Sequence, residues 1–285
     1  MSERVANEVE RVVLARIASN RLVLPASPQG ATKALETLRE PNFRASKLVQ
    51  DLERDPILAV LVLRSASSAA HGRPVEMKSL DQAVSRLGAQ QLKGIIVEYM
   101  AHELFQSSDR RINEANNRVW EHSVVVGLIA RDVAALVGNA EPDSCYLAGL
   151  LHDIGKPVMG AMLLEVERST SRNGSAFISS AQWTAIVDRT HRRVGVAVAS
   201  EWKLADSITS AIRDCSDYDA ADRASAANIV RFSNALAKRE GFGTGTVDMS
   251  DVEALVMVGK SMLGADETIV NRLVANVRPR LQQAK

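Results

Sequence analysis

Cysteine is scarce: Cys145 and Cys215 are the only two in 285 residues. A disulfide framework is thereby excluded, and a reducing, cytoplasmic setting is expected. No apolar run approaches the roughly 20 residues that span a bilayer. The longest, such as 57–63, are far shorter, and the charged stretch 1–11 has no signal-peptide core. No membrane partner is therefore expected. Charge of one sign is also missing. The net charge is +1, so no general basic excess is available to hold a nucleic-acid backbone. The last 14 residues carry Arg272, Arg278, Arg280 and Lys285 without an acid, which reads as a solvated helix end. Aromatics make up 4%, and no long stretch alternates with period two, so a sheet has little support.

What is present favours helix. Hydrophobic residues are 46% and charged residues 24%, ordinary values for a globular chain of one or two domains. Ala, Val and Leu abound. Residues 2–19 place Val5, Val9, Val12, Val13 and Ile17 at helical spacing, and Leu24-Pro25-Ala26-Ser27-Pro28 breaks the pattern. Short helices are predicted over 29–39, 45–53, 56–70, 80–87 and 89–105. Asp55 and Ser79 stand as caps, Pro56 as a first helical residue, and His71-Gly72 and Gly88 as stops. Longer helices are predicted over 112–137 and 142–167, then a polar loop over 169–175. Two more helices are predicted over 250–282. The fold class is all-α.

One stretch carries chemistry: Ala148-Gly149-Leu150-Leu151-His152-Asp153-Ile154-Gly155-Lys156-Pro157. An imidazole beside a carboxylate is a usual pair of ligands for a divalent metal. Neighbours in an unbroken helix diverge by about 100° and do not face each other. Pro157 lacks the N–H that would bond the Asp153 carbonyl, and Gly155 loosens the same turn. A kink just after His152 and Asp153 is therefore expected, with Lys156 pointing into the same space. Two other signals fail. Gly259-Lys260-Ser261 resembles the end of a P-loop, but Ala254 holds the first glycine's position and no strand precedes it. Gly241-Phe242-Gly243-Thr244-Gly245 follows a helix and reads as a turn.

The phrase Leu150-Leu151-His152-Asp153-Ile154-Gly155-Lys156 resembles the signature of the HD superfamily, which includes metal-dependent phosphohydrolases. The N-terminal half narrows the resemblance. Leu24-Pro25, Leu48 to Leu58 with Asp55-Pro56, Ser67-Ser68-Ala69, and Ser79 to Gly88 are similar to the HDOD family, a branch found in bacterial signalling proteins. The usual Asn-Ser-Ala is Ser67-Ser68-Ala69 here. The resemblance covers about residues 20–240. It implies an HD-type helical bundle with His122 as a first metal ligand beside His152 and Asp153. It also places His191, at the start of a helix closing at Trp202, near the site, as in the related HD-GYP phosphodiesterases.

The pattern then departs. Paired histidines often follow Ala211-Ile212-Arg213 in the family; here Asp214-Cys215 follows, and either residue remains a candidate for the pocket. The helix that ends the HD motif with an aspartate carries Asn234, a weaker ligand because an amide brings no negative charge. No Gly-Tyr-Pro motif follows. The expected domain, 20–240, combines an N-terminal helical part, 20–108, with an HD-like part, 109–240. The two are expected to pack as one unit, preceded by a helix over 1–19 and followed by helices over 241–285. A signalling module that binds a partner protein, a small ligand or a second copy of the chain is expected. It would hold at most one divalent ion (iron, manganese, zinc or nickel). A phosphohydrolase with Lys156 stabilising negative charge is the alternative.

Overall fold

The computed structural model describes residues 11–12, 15, 28–68, 77, 79–138, 140–170, 180–245, 247–275 and 277–283. Most of the helix expected over 2–19, the stop at His71-Gly72 and most of the polar loop over 169–175 lie outside them. The regular elements among the described residues are all helices, without a strand. The chain resolves into two compact units, Ala26–Leu104 and Phe105–Lys285, the second grouped with Met1–Pro25.

The first unit holds α1 (Gln29–Thr37), α2 (Ala45–Glu53), α3 (Pro56–Ser67) and most of α4 (Leu80–Phe105). Pro56 occupies the first turn of α3, where its missing N–H has no intrahelical partner to lose. Asp55 caps that helix, accepting the Leu58 N–H at 3.1 Å. Its Oδ1 also accepts the Tyr99 hydroxyl at 3.1 Å, tying α3 to α4. Gly88, at φ 72°, bends α4. The two helices expected over 80–87 and 89–105 are thus both present, separated by the non-helical Gly88 within α4. Leu35, Leu48, Leu52, Leu58, Val62, Leu92, Ile96 and Met100 form the core of this unit.

The second unit is built on α5 (Arg110–Val137). Asp109 accepts the backbone N–H groups of Arg111 and Ile112 at 3.0 and 3.3 Å, which starts this helix two residues earlier than expected. Around it run α6 (Pro142–Leu151), α7 (Gly155–Thr170), α8 (Ser180–Glu201), α9 (Asp206–Asp214) and α10 (Ala226–Ala237). A π-helical turn, Lys238–Phe242, follows α10. α6, α10 and the last two C-terminal helices pack on α5, and residues 122–130 of α5 are buried without interruption.

Three helices, not two, close the chain: α11 (Met249–Leu263), α12 (Glu267–Ala275) and α13 (Val277–Gln283). Asp266 accepts the Ile269 N–H at 2.8 Å and starts α12 afresh. Pro279 sits in the first turn of α13, where proline is tolerated. The stretch Pro142–Glu165 has the length and hydropathy to cross a membrane, with 89% of its most apolar window buried inside this fold. It is also broken after Leu151.

Candidate metal centre

Two glycines set the approach of α5 to α6. A Cβ on Gly149 would lie 2.8 Å from the Gly127 Cα and 3.0 Å from the Val126 carbonyl oxygen. With no side chain at either position, the two backbones touch. His122 precedes Gly127 by five residues on α5, and His152 follows Gly149 by three at the end of α6. The close crossing brings their ring centroids to 5.3 Å. Residues thirty apart in sequence thereby share one buried space.

The expected kink is a complete break. α6 ends at Leu151, residues 152–154 form a turn, and α7 begins at Gly155. Pro157 is the third residue of α7 and so helps to start a helix. Its absent N–H falls among the groups that a helix start leaves unpaired in any case. The break lets His152 and Asp153 face the same space. On the other side of the turn, a Cβ on Gly155 would stand 1.8 Å from the His191 carbonyl oxygen and 2.9 Å from the Gly195 nitrogen. Only glycine lets α8 come this close, and that contact delivers His191.

Asp153 is the hub. Its Oδ2 lies 2.6 Å from Lys156 Nζ, 3.4 Å from His152 Nε2 and 3.9 Å from His122 Nε2. Its Oδ1 lies 3.4 Å from His191 Nε2. His122, His152 and Asp153 are at most 4% exposed. Each imidazole turns Nδ1 to a backbone carbonyl: His122 to Phe242 at 2.8 Å, His152 to Gly149 at 2.7 Å, His191 to Val187 at 2.9 Å. A carbonyl oxygen only accepts, so Nδ1 carries the proton. In a neutral ring, Nε2 is left as a bare lone pair.

Burial keeps His122 and His152 neutral, lowering them from the usual histidine value to about 4 and about 3, although Asp153 pulls the other way. Asp153 is held well below the ordinary carboxylate range: its burial opposes ionisation, but the positive charge beside it, with the Lys156 ammonium at 2.6 Å, outweighs that. His122 Nε2 and His152 Nε2 are buried and without a hydrogen-bond partner. Two lone pairs facing a carboxylate repel it, and each buried unpaired polar group costs about 1–3 kcal/mol. A divalent cation removes that cost. The three ligand atoms lie within 4.8 Å of one another, a set that can hold one. Histidine Nδ1–H bonded to carbonyl oxygen is also the usual support for a metal-bound ring.

The remaining candidates divide. Asn234 lies on α10, the helix packed against α5, and its Oδ1 is buried without a hydrogen-bond partner. Cys215 is buried at the end of α9. Its Sγ lies 2.8 Å from Arg192 Nη1, burial pushes its thiol up, and it feels the charge of Asp153. Asp214 is not brought to the cluster. It pairs with Arg213 at 2.9 Å on the surface. There it lines a cavity of about 510 Å³ together with Glu141, Cys145, Asp219 and Asp222. Adjacent residues at a helix end diverge, which separates Asp214 from Cys215. Sequence reasoning missed Arg192, Arg231 and Lys238. The signal available was the spacing of Arg231, Asn234 and Lys238, one helical face.

The HDOD domain family matches residues 24–218. A Treponema pallidum protein of uncharacterised role is 27% identical over 195 residues, 65% of this chain and 37% of that protein, so this chain spans little more than a third of that relative. Among solved structures, a candidate metal-dependent phosphohydrolase from Shewanella amazonensis aligns over 95% of this chain and 98% of its own, with a TM-score of 0.67 at 20% identity. An HDOD domain protein of unknown function from Geobacter sulfurreducens aligns over 99% and 96%, with a TM-score of 0.63 at 21% identity. A candidate signal transduction protein from Marinobacter aquaeolei aligns over 98% of this chain and 64% of its own, with a TM-score of 0.63 at 22% identity. At such identities the likeness is one of fold. With the family match spanning most of its length, the chain belongs to the HDOD family.

Proposed function

We propose that this HDOD chain is a regulatory module that works by binding, with a reduced metal centre at its heart. The observation that carries this reading is the ligand set. His122, His152 and Asp153 form the one His/Cys/Asp/Glu group among the described residues whose ligand atoms are close enough to share an ion. Asn234 stands where the family resemblance calls for a carboxylate, and Asp214-Cys215 where it calls for paired histidines. Two imidazoles and one carboxylate compensate a single divalent ion incompletely, and a two-metal clamp has no second set of ligands. A bound ion would supply Lewis acidity toward a phosphoryl oxygen, and Lys156 would face any negative charge that developed. In the free chain Lys156 bonds Asp153 at 2.6 Å and so fixes that carboxylate toward the histidines.

The test is an assay with manganese, iron or zinc in excess against cyclic dinucleotides, nucleoside phosphates and a generic phosphodiester. No turnover above background is expected. Metal-dependent turnover that vanishes in Asp153→Ala would make the protein a phosphohydrolase and overturn the reading.

A further inference from the structure

The polar groups around Asp153 do not balance. Lys156 binds its Oδ2. Arg192 and Arg231 converge on Cys215, Arg192 through the 2.8 Å contact with Sγ and Arg231 through the Cys215 carbonyl at 3.3 Å and the Ser216 carbonyl. Lys238 begins the π-helical turn whose last residue, Phe242, holds His122. These four cations come from α7, α8, α10 and the turn after it. Arg231, Asn234 and Lys238 share one face of the α10 helix at spacings of three and four.

Against four positive charges stands one carboxylate, Asp153, already bonded to Lys156. Among the described residues, neither Arg192, Arg231 nor Lys238 reaches an acidic side chain. Arg192 bonds a sulfur, Arg231 bonds backbone carbonyls and lies over the Tyr218 ring, and the Lys238 ammonium makes no hydrogen bond among the described residues. The Arg231 Nε is buried and unpaired. Lys238 is half-buried, and burial pushes its ammonium below the usual lysine value, against the pull of Asp153. Cations so placed are unfavourable for folding unless something negative arrives. A divalent ion on His122, His152 and Asp153 would deepen the excess.

Burial differs in a way that gives the cluster a direction. The ligand atoms of His122, His152 and Asp153 form a buried floor, whereas Lys156, Arg192, Arg231 and Lys238 are each partly exposed. The cations therefore lie nearer to solvent than the ligand atoms do. Guanidinium and ammonium groups from several helices suit a tetrahedral oxyanion with several acceptor oxygens better than a planar carboxylate held by one fork.

We propose that Lys156, Arg192, Arg231 and Lys238 form a receptor for the phosphate group of a small ligand, with side-chain cations standing where a second metal ion is lacking. This rests on the binding reading given above and names the ligand class. The site is a trade of stability for function: Arg192, Arg231 and Lys238, without an acidic partner among the described residues, destabilise the free protein and are satisfied by the bound anion.

The experiment uses the full chain and inorganic phosphate, with chloride and acetate at matched ionic strength. Calorimetric titration and thermal unfolding are followed for wild type, Lys238→Met and the double variant Arg231→Gln/Lys238→Met. None of these changes touches a histidine or Asp153. Saturable phosphate binding that raises wild-type Tm is expected, with affinity at least tenfold lower in Lys238→Met and lost in the double variant. Lys238→Met without phosphate should melt at the same temperature as wild type or higher, which a purely structural lysine would not do. Equal phosphate affinity in wild type and both variants would overturn the proposal. So would a wild-type response to phosphate no larger than that to chloride or acetate. A parallel phosphodiester assay separates the two claims. Turnover together with Lys238-dependent phosphate binding keeps the receptor and overturns the regulatory reading. Absence of both binding and turnover overturns the receptor alone.

Discussion

Both units of the chain bury carboxylates, and Asp55 and Asp153 are treated in opposite ways. Asp55, in the first unit, is 8% exposed and surrounded by donors: the Leu58 N–H and the Tyr99 hydroxyl, each at 3.1 Å. Asp153, in the second, is 4% exposed and faces two unpartnered Nε2 lone pairs, with Lys156 as its one short ion pair. A buried acid among donors is satisfied and holds a fold together. A buried acid among acceptors is complete only with a cation. The difference lies in the neighbours and not in burial, so burial alone would have ranked the two alike.

The largest effect separates two glycines by the same route. Gly155→Ala places a Cβ on the His191 backbone, where no flexible side chain can give way. It should destabilise by on the order of 3 kcal/mol or more, read by urea unfolding. Gly94→Ala, within α4 and with open space around it, should stabilise by about 0.5–1 kcal/mol. If Gly155→Ala is tolerated as well as Gly94→Ala, the close approach that delivers His191 is wrong.

The two aspartates are the next contrast. Asp55→Ala removes a helix cap and leaves the Tyr99 hydroxyl without an acceptor. It should cost about 2–3 kcal/mol and leave metal uptake unchanged. Asp153→Ala should abolish metal uptake and cost the metal-free protein less than Asp55→Ala does. Paired measurements of urea midpoint and bound metal would show it, and a reversed pattern would break the comparison.

Acid offers a third contrast. His122 and His152 are lowered to about 4 and about 3 in the folded state, against about 6.5 in the unfolded chain. Between about pH 6.5 and 4 the unfolded chain therefore binds more protons, and stability falls as pH falls. The slope has an upper limit of about 2.7 kcal/mol per pH unit for two such groups. Asp153, also lowered, acts in the same direction only below the ordinary carboxylate value. His122→Gln should reduce the slope of stability against pH, measured by urea titration of the metal-free protein.

Much of the scaffold was legible in the sequence because its signals are local. The cap at Asp55, the proline start at Pro56 and the stop at Gly88 each act within a turn. The centre was only half legible. His152, Asp153 and Lys156 lie within one turn of chain, but His122 came from family resemblance, since its contact depends on Gly127 and Gly149 meeting across two helices. Pro157 was misread as a kink because a proline marks a helix break equally well when it starts the next helix. Of Arg192, Arg231 and Lys238, the sequence offered only the shared helical face of Arg231, Asn234 and Lys238. The three cations sit on two helices and a turn, and their shared feature is the absence of an acid nearby, which no local pattern records.

A smaller effect would sharpen the account of Asn234. Asn234→Asp adds a negative charge at the position where the family resemblance calls for a carboxylate ligand. It should raise metal affinity by a factor on the order of ten, measured by competition with a chelating dye. No gain would place Asn234 outside the coordination shell.

The most direct test of the metal centre is the stoichiometry of bound metal in wild type and Asp153→Ala, equilibrated with manganese, iron or zinc and measured by elemental analysis. One ion per wild-type chain, removed by dialysis against EDTA and absent from Asp153→Ala, is the predicted result. Two ions per chain, none under saturating metal, or equal uptake by the Asp153→Ala protein would contradict it.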